Sequence, residues 1–321
     1  MPKAEKLGVF SNQKLVYGAI ALFFIFYLLT GFWVFGLLVG VTLLWAVVLE
    51  FFLGSKEHGI AHEVKETAIA LFIALLLWFG AGFVLQTPSP LNAIVSCSML
   101  PHIQRGDMVV LSGDRIGAPS VEVASLAGIG DATVLKDGAT VAQVKGSLYS
   151  HCAQNPSESM CREFVETPSS FTEKQGPFLF GYERCEMVYP KTGQKLTGRC
   201  VSWLEVGGVK YYENLTNDVV VYQPDKGEYY ARVGDIIHRA FIKLQSGGKT
   251  YFLTKGDNTP VFDIQVYDER SGVGNKPAEM ARFKGRVLFG VPYLGYFKLF
   301  ISPGGIMTPE GCDRYYSKYA S

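Results

Sequence analysis

The sequence predicts a membrane-anchored, mainly β protein, in which N-terminal apolar helices precede a water-soluble, β-rich region. Three observations support this fold class. Residues 1–95 hold ten of the 59 charged residues, and no charge occurs between Leu15 and Leu49. Beyond residue 95 the charge density is ordinary. There, short apolar or alternating runs are separated by Gly, Asp and Pro, which is the pattern of strands and turns.

The composition argues against two broad classes of protein. Charged residues make up 18% of the chain, and the formal net charge is +1. Disordered chains combine low hydrophobicity with high charge, and nucleic-acid binders usually carry a basic stripe. The sequence therefore favours a folded protein that does not bind nucleic acid.

The uncharged N-terminal stretch is too long for one membrane span. Apolar residues continue to Leu53, and a helix from Leu15 to that point would be about 58 Å long, twice the roughly 30 Å hydrocarbon core. We predict a membrane anchor over 1–86 with three transmembrane helices, listed by their approximate limits as 12–30, 33–53 and 67–85. A cleaved signal peptide is disfavoured, because its apolar region is roughly 7–15 residues long.

Lysines in the short connecting segments predict the orientation of these helices. The N-terminal stretch holds Lys3, Lys6 and Lys14, and Lys56 and Lys65 lie in the predicted loop 54–66. Cytoplasmic loops carry an excess of Lys and Arg, so we expect the N-terminus and this loop in the cytoplasm. Everything after residue 86 is then expected on the outer face of a multi-pass membrane protein.

The cysteines suit an oxidising outer compartment, where disulfides can form. Of the six cysteines, Cys97 adjoins Ser98 and is set apart from the other five; the pairs Cys152–Cys161 and Cys185–Cys200 would close short loops and are favoured, which leaves Cys312 unassigned. Spacing alone does not determine the pairing. Asn214, in the triplet Asn-Leu-Thr, is a possible glycosylation site.

Four short motifs follow the third predicted span, and each contains a Ser, His or Asp: SCSMLP (96–101), RGD (105–107), GDIIHR (234–239) and TKGDN (254–258). Asp263 comes six residues after Asp257. Taken separately these motifs are weak, since Ser, Gly and Asp are common turn residues. Their order along the chain is what makes the pattern specific.

This ordered set resembles the type I signal peptidases, the membrane-bound serine proteases that remove signal peptides. The segment 285–295 also looks like the closing strand of that family, and the resemblance covers about a third of the chain. His238 stands where the bacterial branch has a lysine. The chain is therefore similar to the archaeal and endoplasmic-reticulum branch, which uses Ser, His and Asp.

The resemblance also implies the organisation of the outer region. The segments 87–111 and 231–300 would form the catalytic core, a signal-peptidase-like β-barrel or sheet. Residues 112–230 would be an inserted, disulfide-containing, β-rich lobe, where this branch usually has a short connection. Residues 301–321 would form a C-terminal tail.

The resemblance and the chemistry of acyl transfer together assign roles to individual residues. Ser98 is the expected nucleophile and His238 its base, because a serine hydroxyl needs a base to take its proton. Asp263 is favoured as the acid that orients the imidazole, with Asp257 as its rival. The oxyanion would be bound by the Ser98 backbone N–H and the Ser96 hydroxyl, although a turn-capping role for Ser96 is equally open.

The sequence thus predicts a serine endopeptidase that cleaves N-terminal signal peptides from secreted and membrane preproteins at the outer membrane face, with no metal or cofactor. The expected partners are signal-peptide-bearing preproteins, membrane lipid and the protein-translocation channel. Two alternatives stay open: a non-catalytic membrane receptor or assembly factor built on a relic protease core, and a peptidase dedicated to a few envelope proteins. The three spans and the large lobe favour an archaeal cell membrane over the endoplasmic-reticulum membrane.

Overall fold

The computed structural model describes most of the chain, namely residues 12–30, 33–301, 309 and 311–317. They fall into two units. One contains the N-terminal helices and residues 297–301, and the other contains Leu85–Tyr296 with the described residues of Thr308–Ser321. Two of the lysines used to predict the orientation, Lys3 and Lys6, lie outside the described residues, as does much of the predicted 301–321 tail.

Three apolar helices form the N-terminal unit: α1 (Gln13–Thr30), α2 (Trp33–His58) and α3 (Ile60–Val84). Leu and Ala are good helix formers, and no Pro interrupts these runs. The segments Val34–Lys56 and Ile60–Val84 are long and apolar enough to cross a membrane, whereas the apolar part of α1, Gln13–Tyr27, is shorter. Two of the three predicted spans therefore meet the length and composition expected of a membrane helix.

The helix α2 ends later, and α3 begins earlier, than the sequence predicts. Residues 54–66, expected to be a loop, are helical except at Gly59, whose positive φ of 84° separates α2 from α3. Ala, Glu and Lys in this stretch are strong helix formers. The loop prediction was wrong because it used the end of the apolar run as the end of the helix.

The surfaces of these helices fit a lipid environment. No residue of α3 is buried, and Phe79 and Phe83 are 69% and 86% exposed. A helix that is apolar on all sides is stable only where those sides are covered, as in a membrane. The Tyr17 hydroxyl on α1 donates to the carboxylate of Glu50 on α2, so this acid within the apolar stretch has a partner.

The region beyond α3 is mainly β, as the sequence predicts. The helices α4 (Leu148–Gln154) and α5 (Ser159–Glu166) interrupt the strands, and α6 (Tyr296–Ile301) follows them. The strands are, in chain order, β1 (Leu91–Ala93), β2 (Met108–Ser112), β3 (Ser120–Glu122), β4 (Asp131–Lys136), β5 (Ala139–Lys145), β6 (Phe171–Gln175), β7 (Phe178–Tyr189), β8 (Gln194–Val206), β9 (Val209–Tyr212), β10 (Val219–Tyr222), β11 (Ile236–Ser246), β12 (Lys249–Lys255), β13 (Tyr267–Asp268), β14 (Val273–Gly274), β15 (Ala278–Glu279), β16 (Phe283–Val291) and β17 (Tyr315–Ser317).

These strands form two large sheets and one short hairpin. The first sheet has the order β1-β2-β16-β10-β11-β12-β15, with β3 alongside β11. The second sheet has the order β5-β4-β6-β7-β8-β9, with β17 alongside β7, and β13 pairs with β14. All pairs are antiparallel except β3 with β11.

Strand pairing divides the outer region differently from the predicted insertion at 112–230. β3 pairs with β11, and β10 pairs with both β11 and β16, so these two segments belong to the first sheet. All four residues of β10 are buried, which suits a central strand covered on both faces. The lobe is therefore the part of the second sheet from β4 to β9, and β17 from the predicted tail pairs with its strand β7.

The two sheets share one hydrophobic core. The rings of Phe180 on β7 and Phe262 lie 5.3 Å apart, and Phe241 on β11 lies 4.7 Å from the same Phe262 ring. All three side chains are buried. Because Phe262 directly precedes Asp263, packing of the lobe supports the position of that aspartate.

Three disulfides staple the outer region. Cys152–Cys161 and Cys185–Cys200 are the two pairs that close short loops, and the second of them joins β7 to β8. Cys97 bonds to Cys312, the cysteine that spacing left unassigned. This third bond joins residues that are 215 positions apart in the sequence, a separation that no local pattern reveals.

Phe180→Ala is expected to lower the free energy of unfolding by about 3–5 kcal/mol, because it leaves a cavity in the shared core. Val209→Ala, at a side chain that is 53% exposed, should change it by less than about 0.5 kcal/mol. Denaturant unfolding of the full chain in detergent, followed by circular dichroism, measures both values. Equal effects of the two changes would contradict a core shared at Phe180.

Candidate active site

The loop between β1 and β2 carries the SCSMLP motif. Cys97 and Met99 are buried and anchor it, whereas Ser96 and Ser98 are half-buried. The hydroxyl oxygens of Ser96 and Ser98 lie 3.3 Å apart, and either can donate to the other. The predicted nucleophile and the predicted oxyanion donor are therefore neighbours on one loop, here named the nucleophile loop (96–103).

His238 lies on β11, opposite Val220 of β10. Its side chain and that of Asp263 are almost completely buried. The Nδ1 atom of His238 lies 2.8 Å from each carboxylate oxygen of Asp263. A proton on Nδ1 is then donated to the carboxylate, which leaves the lone pair on Nε2 free to accept a proton.

The carboxylate of Asp263 accepts two further hydrogen bonds. The Thr254 hydroxyl on β12 donates at 2.6 Å and the Tyr222 hydroxyl on β10 at 2.9 Å. Burial, and then the charge of Asp263, raise the pKa of Tyr222 well above its ordinary value, so the phenol keeps its proton and remains a donor. A buried carboxylate is tolerated only when it is satisfied in this way.

Gly256 shows that the nucleophile loop and the imidazole face one small space. A Cβ built on Gly256 would lie 2.6 Å from the Ser98 carbonyl oxygen and 2.9 Å from His238 Nε2. Within the described residues the Ser98 hydroxyl bonds to Ser96 and not to His238. A serine side chain has three staggered positions, and catalytic hydrogen bonds in unliganded enzymes are often loose, so this orientation is compatible with catalysis.

Asp257, the rival acid, has other partners. Arg239 donates to it from Nε at 2.8 Å and from Nη2 at 2.6 Å, and His102 Nδ1 lies 3.0 Å from the same carboxylate. Its side chain is 2% exposed, so the bidentate guanidinium balances a buried charge. Of the two aspartates left open by the sequence, Asp263 contacts His238 and Asp257 contacts Arg239.

Lys255 is a buried cation beside the site, and the sequence assigned it no role. Its Nζ donates to the Gly256 carbonyl at 3.0 Å and lies 3.6 Å from a carboxylate oxygen of Glu213. Burial lowers the pKa of Lys255 to about 8, although the charges of Asp257 and Asp263 oppose this shift. Lysines are rarely buried, so the sequence offered no sign of this position.

Sequence reasoning missed three residues that hold the site together. Thr254 and Asn258 lie inside the TKGDN motif, so their place in the sequence was a usable signal. Tyr222 ends an apolar strand and carried no such signal. Asn258 donates through its backbone N–H to the Ser98 carbonyl at 2.7 Å, and thereby fixes the nucleophile loop to the Gly-Asp-Asn turn.

A cavity of about 400 Å³ borders the nucleophile loop. Pro101 and His102 of the nucleophile loop and Asp257 after β12 line it, together with Tyr212 and Glu213 at the end of β9 in the lobe. Its size falls within the range of about 300–1,000 Å³ common for ligand pockets. The lobe thus supplies part of the wall beside the loop that carries Ser98.

Two further features of the lobe bear on the predicted chemistry. Asn214 is exposed, and its side-chain oxygen accepts hydrogen bonds from the Thr216 N–H and hydroxyl. One atom each from His151, Glu158 and Cys161 lie within 4.8 Å of one another. Cys161 is in a disulfide and offers no thiolate, so this group is a poor metal site.

Comparison with known proteins supports the resemblance seen in the motifs. The chain is 32% identical over 90 residues to the signal peptidase complex catalytic subunit SEC11 of Candida dubliniensis, which covers 28% of this chain and 49% of that protein. It is 35% identical over 91 residues to the subunit of the same name from Lachancea thermotolerans, with the same coverage of each chain.

A longer match is with the corresponding SEC11 subunit of Candida tropicalis, 28% identical over 112 residues, or 33% of this chain and 63% of that protein. No family model matches the chain. The chain thus spans about half the length of the first curated relatives it matches. The similarity to signal peptidase catalytic subunits predicted from the motifs is confirmed.

Lys255→Met is expected to change how stability depends on pH. The folded pKa of about 8 lies below the ordinary value of 10.5, so the unfolded chain binds more protons between these values. The free energy of unfolding of the natural chain should therefore rise as pH increases from about 8 to 10.5. The variant should lack this rise, because its side chain does not titrate.

Thermal unfolding at a series of pH values measures the free energy of unfolding of both proteins. Subtracting the variant's values from those of the natural chain isolates the contribution of Lys255, because the tyrosines, which titrate in the same pH range, are present in both. A difference that stays constant with pH would contradict the burial of an ionisable lysine at this position.

Proposed function

We propose that the protein is a membrane-bound serine endopeptidase that cleaves N-terminal signal peptides from preproteins. The observation that carries the proposal is the hydrogen bond between His238 Nδ1 and the buried Asp263 carboxylate, at 2.8 Å, with Nε2 beside the backbone of Ser98. Similarity to signal peptidase complex catalytic subunits supports the substrate class. The two-sheet region corresponds in this proposal to a signal-peptidase-like catalytic fold with an inserted lobe.

The proposed reaction proceeds in two steps. The Ser98 hydroxyl attacks the carbonyl carbon of the scissile bond as its proton passes to His238 Nε2. The imidazolium, steadied by Asp263, then gives that proton to the departing amine, and the acyl group stays on Ser98. Water, deprotonated by the same imidazole, hydrolyses this ester and restores the enzyme.

Oxyanion stabilisation is proposed for the Ser98 backbone N–H and the Ser96 hydroxyl. The 3.3 Å separation between the two hydroxyl oxygens supports it, because the carbonyl oxygen of the bond attacked by Ser98, on which negative charge develops, would also be near Ser96. One such donor is worth about 3–4 kcal/mol in the transition state.

A membrane location fits the substrate. The two long apolar helices, together with the shorter α1, are proposed to form a multi-pass anchor with its lysine-bearing segments in the cytoplasm. Residues after 86 would then lie on the outer face of a cell membrane, in preference to the endoplasmic reticulum. A signal peptide is itself membrane-anchored, so confinement of both partners raises their effective concentration.

The lobe is proposed to contact the substrate next to the scissile bond. Support comes from the cavity of about 400 Å³ that the lobe shares with Pro101 and His102. Membrane lipid and the protein-translocation channel are the other proposed partners, since preproteins emerge from the channel into the bilayer. Glycosylation is proposed at Asn214, whose exposed side chain is accessible.

The two alternatives are less well supported. A relic core used as a receptor or assembly factor has no reason to keep a buried Asp263 with three donors beside the Ser98 loop. A peptidase dedicated to a few envelope proteins shares the same chemistry and differs only in substrate range. Cleavage assays over many preproteins distinguish the narrow from the general enzyme.

Ser98→Ala and His238→Ala should each abolish cleavage of a secretory preprotein by the detergent-solubilised protein, because each removes a group that the first step requires. Gel separation of precursor and mature forms measures the cleavage. Val209→Ala, a change at an exposed side chain, is the control for losses of activity during purification. Retention of cleavage in either alanine variant would refute the assignment.

The two aspartates should respond differently to substitution by asparagine. Asp263→Asn is expected to lower kcat about 10⁴-fold, because the wrong imidazole tautomer is held. Asp257→Asn should mainly lower stability, because it breaks a buried ion pair, a loss worth about 3–5 kcal/mol when one partner is removed.

Steady-state kinetics on the folded fraction, with thermal unfolding of the same samples, separates these effects. A larger loss of kcat for Asp257→Asn than for Asp263→Asn would reverse the assignment of the acid.

A further inference from the structure

The C-terminal residues 311–317, here named the C-terminal strap, are bound on two sides. On one side, Tyr315–Ser317 forms β17 and pairs with β7 of the lobe. On the other side, the strap meets the side chain of Asn258. The Asn258 amide nitrogen donates to the Arg314 carbonyl at 3.0 Å and lies 3.3 Å from the Gly311 carbonyl, and the Tyr316 N–H donates to the Asn258 side-chain oxygen at 2.9 Å.

The same Asn258 also holds the nucleophile loop. Its amide nitrogen donates to the Cys97 carbonyl at 2.9 Å, and its backbone N–H donates to the Ser98 carbonyl at 2.7 Å. Asn258 is nearly buried, so these bonds are shielded from water. Asn258 therefore connects the strap to the peptide group before Ser98 and to the peptide group after it.

A covalent bond reinforces this connection. Cys312 in the strap is disulfide-bonded to Cys97, the residue directly before Ser98. The Cα atoms of the two cysteines lie 5.0 Å apart. The backbone that carries the proposed nucleophile is thus held by a disulfide before it and by a hydrogen bond from Asn258 after it.

We propose that the C-terminal strap positions the nucleophile, with Asn258 as a positioning residue, and that formation of the Cys97–Cys312 bond brings the enzyme to full activity. This inference rests on the proposed role of Ser98. In the activating step, the thiols of Cys97 and Cys312 lose two protons and two electrons to a disulfide-bearing oxidant, which becomes two thiols. The protease then reaches full activity only in an oxidising compartment, where its substrates emerge.

The lobe disulfides supply a matched comparison. Cys152–Cys161 also joins two buried cysteines in the outer region but lies in the helices of the lobe. Removal of either disulfide lowers stability. Only the bond next to Ser98 should alter the geometry of attack, and a misplacement of about 1 Å there costs on the order of 100-fold in rate.

The first experiment compares two double variants of the full chain in detergent. Cys97→Ala with Cys312→Ala should lower kcat about 10- to 100-fold with KM changed less than about two-fold, because positioning is lost and substrate binding is not. Cys152→Ala with Cys161→Ala should keep kcat within about two-fold of the natural value. Equal kcat values for the two variants, each corrected for its folded fraction, would overturn the proposal.

The second experiment tests whether reduction of the Cys97–Cys312 bond alone lowers activity. In a variant whose four lobe cysteines are alanine, dithiothreitol can reduce only Cys97–Cys312. Reduction should lower kcat with KM unchanged, and reoxidation with oxidised glutathione should restore it. A kcat unaffected by reduction, with mass spectrometry showing both thiols free, would overturn the proposal.

A third comparison tests Asn258 without touching a cysteine. Asn258→Asp removes the amide donor to Cys97 and to the strap but keeps the oxygen that accepts from Tyr316. We expect this variant to have a lower kcat and an unchanged KM. Asn155→Asp, which removes an amide donor to the His151 carbonyl in the lobe, is the control and should leave kcat unchanged. An unchanged kcat for Asn258→Asp would count against the proposal even if the cysteine variants fail to fold.

Ser98→Ala separates this inference from the proposed function. If Ser98→Ala still cleaves, the proposed function fails. If Ser98→Ala is inactive while the Cys97, Cys312 and Asn258 variants keep their kcat, the positioning role alone fails.

Discussion

The site depends on one buried charge, the carboxylate of Asp263. A buried carboxylate without hydrogen-bond donors is costly, and this one accepts hydrogen bonds from His238, Thr254 and Tyr222. These three donors come from β11, β12 and β10, which are neighbours in the first sheet. The register of three strands and the conformation of the turn before Asp263 must therefore all be correct for the proposed base to be held with its Nε2 free.

The alternation of side chains along a strand explains how the two aspartates acquire different partners. His238 and Arg239 are consecutive on β11, so their side chains leave on opposite faces of the sheet. Asp263 binds the first and Asp257 the second. Each buried acid has its own cation or imidazole, and the guanidinium on the opposite face does not compete with the imidazole for Asp263.

The lobe and the C-terminal strap are joined to this centre in three ways. The lobe shares a core with the first sheet through Phe180 and Phe262. It lends β7 as a partner to the strap, and the strap is bonded to Cys97. Through the strap, the lobe is thus connected to the backbone next to Ser98.

The sequence alone was enough to predict the apolar helices and the mainly β character, and to single out the motifs of the proposed site, because hydrophobic runs, alternation and short motifs are local properties. It also favoured the two short-loop disulfides, since their cysteines are close along the chain. Contacts in the folded chain were needed to establish that Asp263 is the aspartate beside His238, that Tyr222 donates to Asp263, that β3 and β10 belong to the first sheet, and that Cys97 bonds to Cys312. Each of these depends on strand register or on contact between distant segments, and neither leaves a periodic pattern in the sequence.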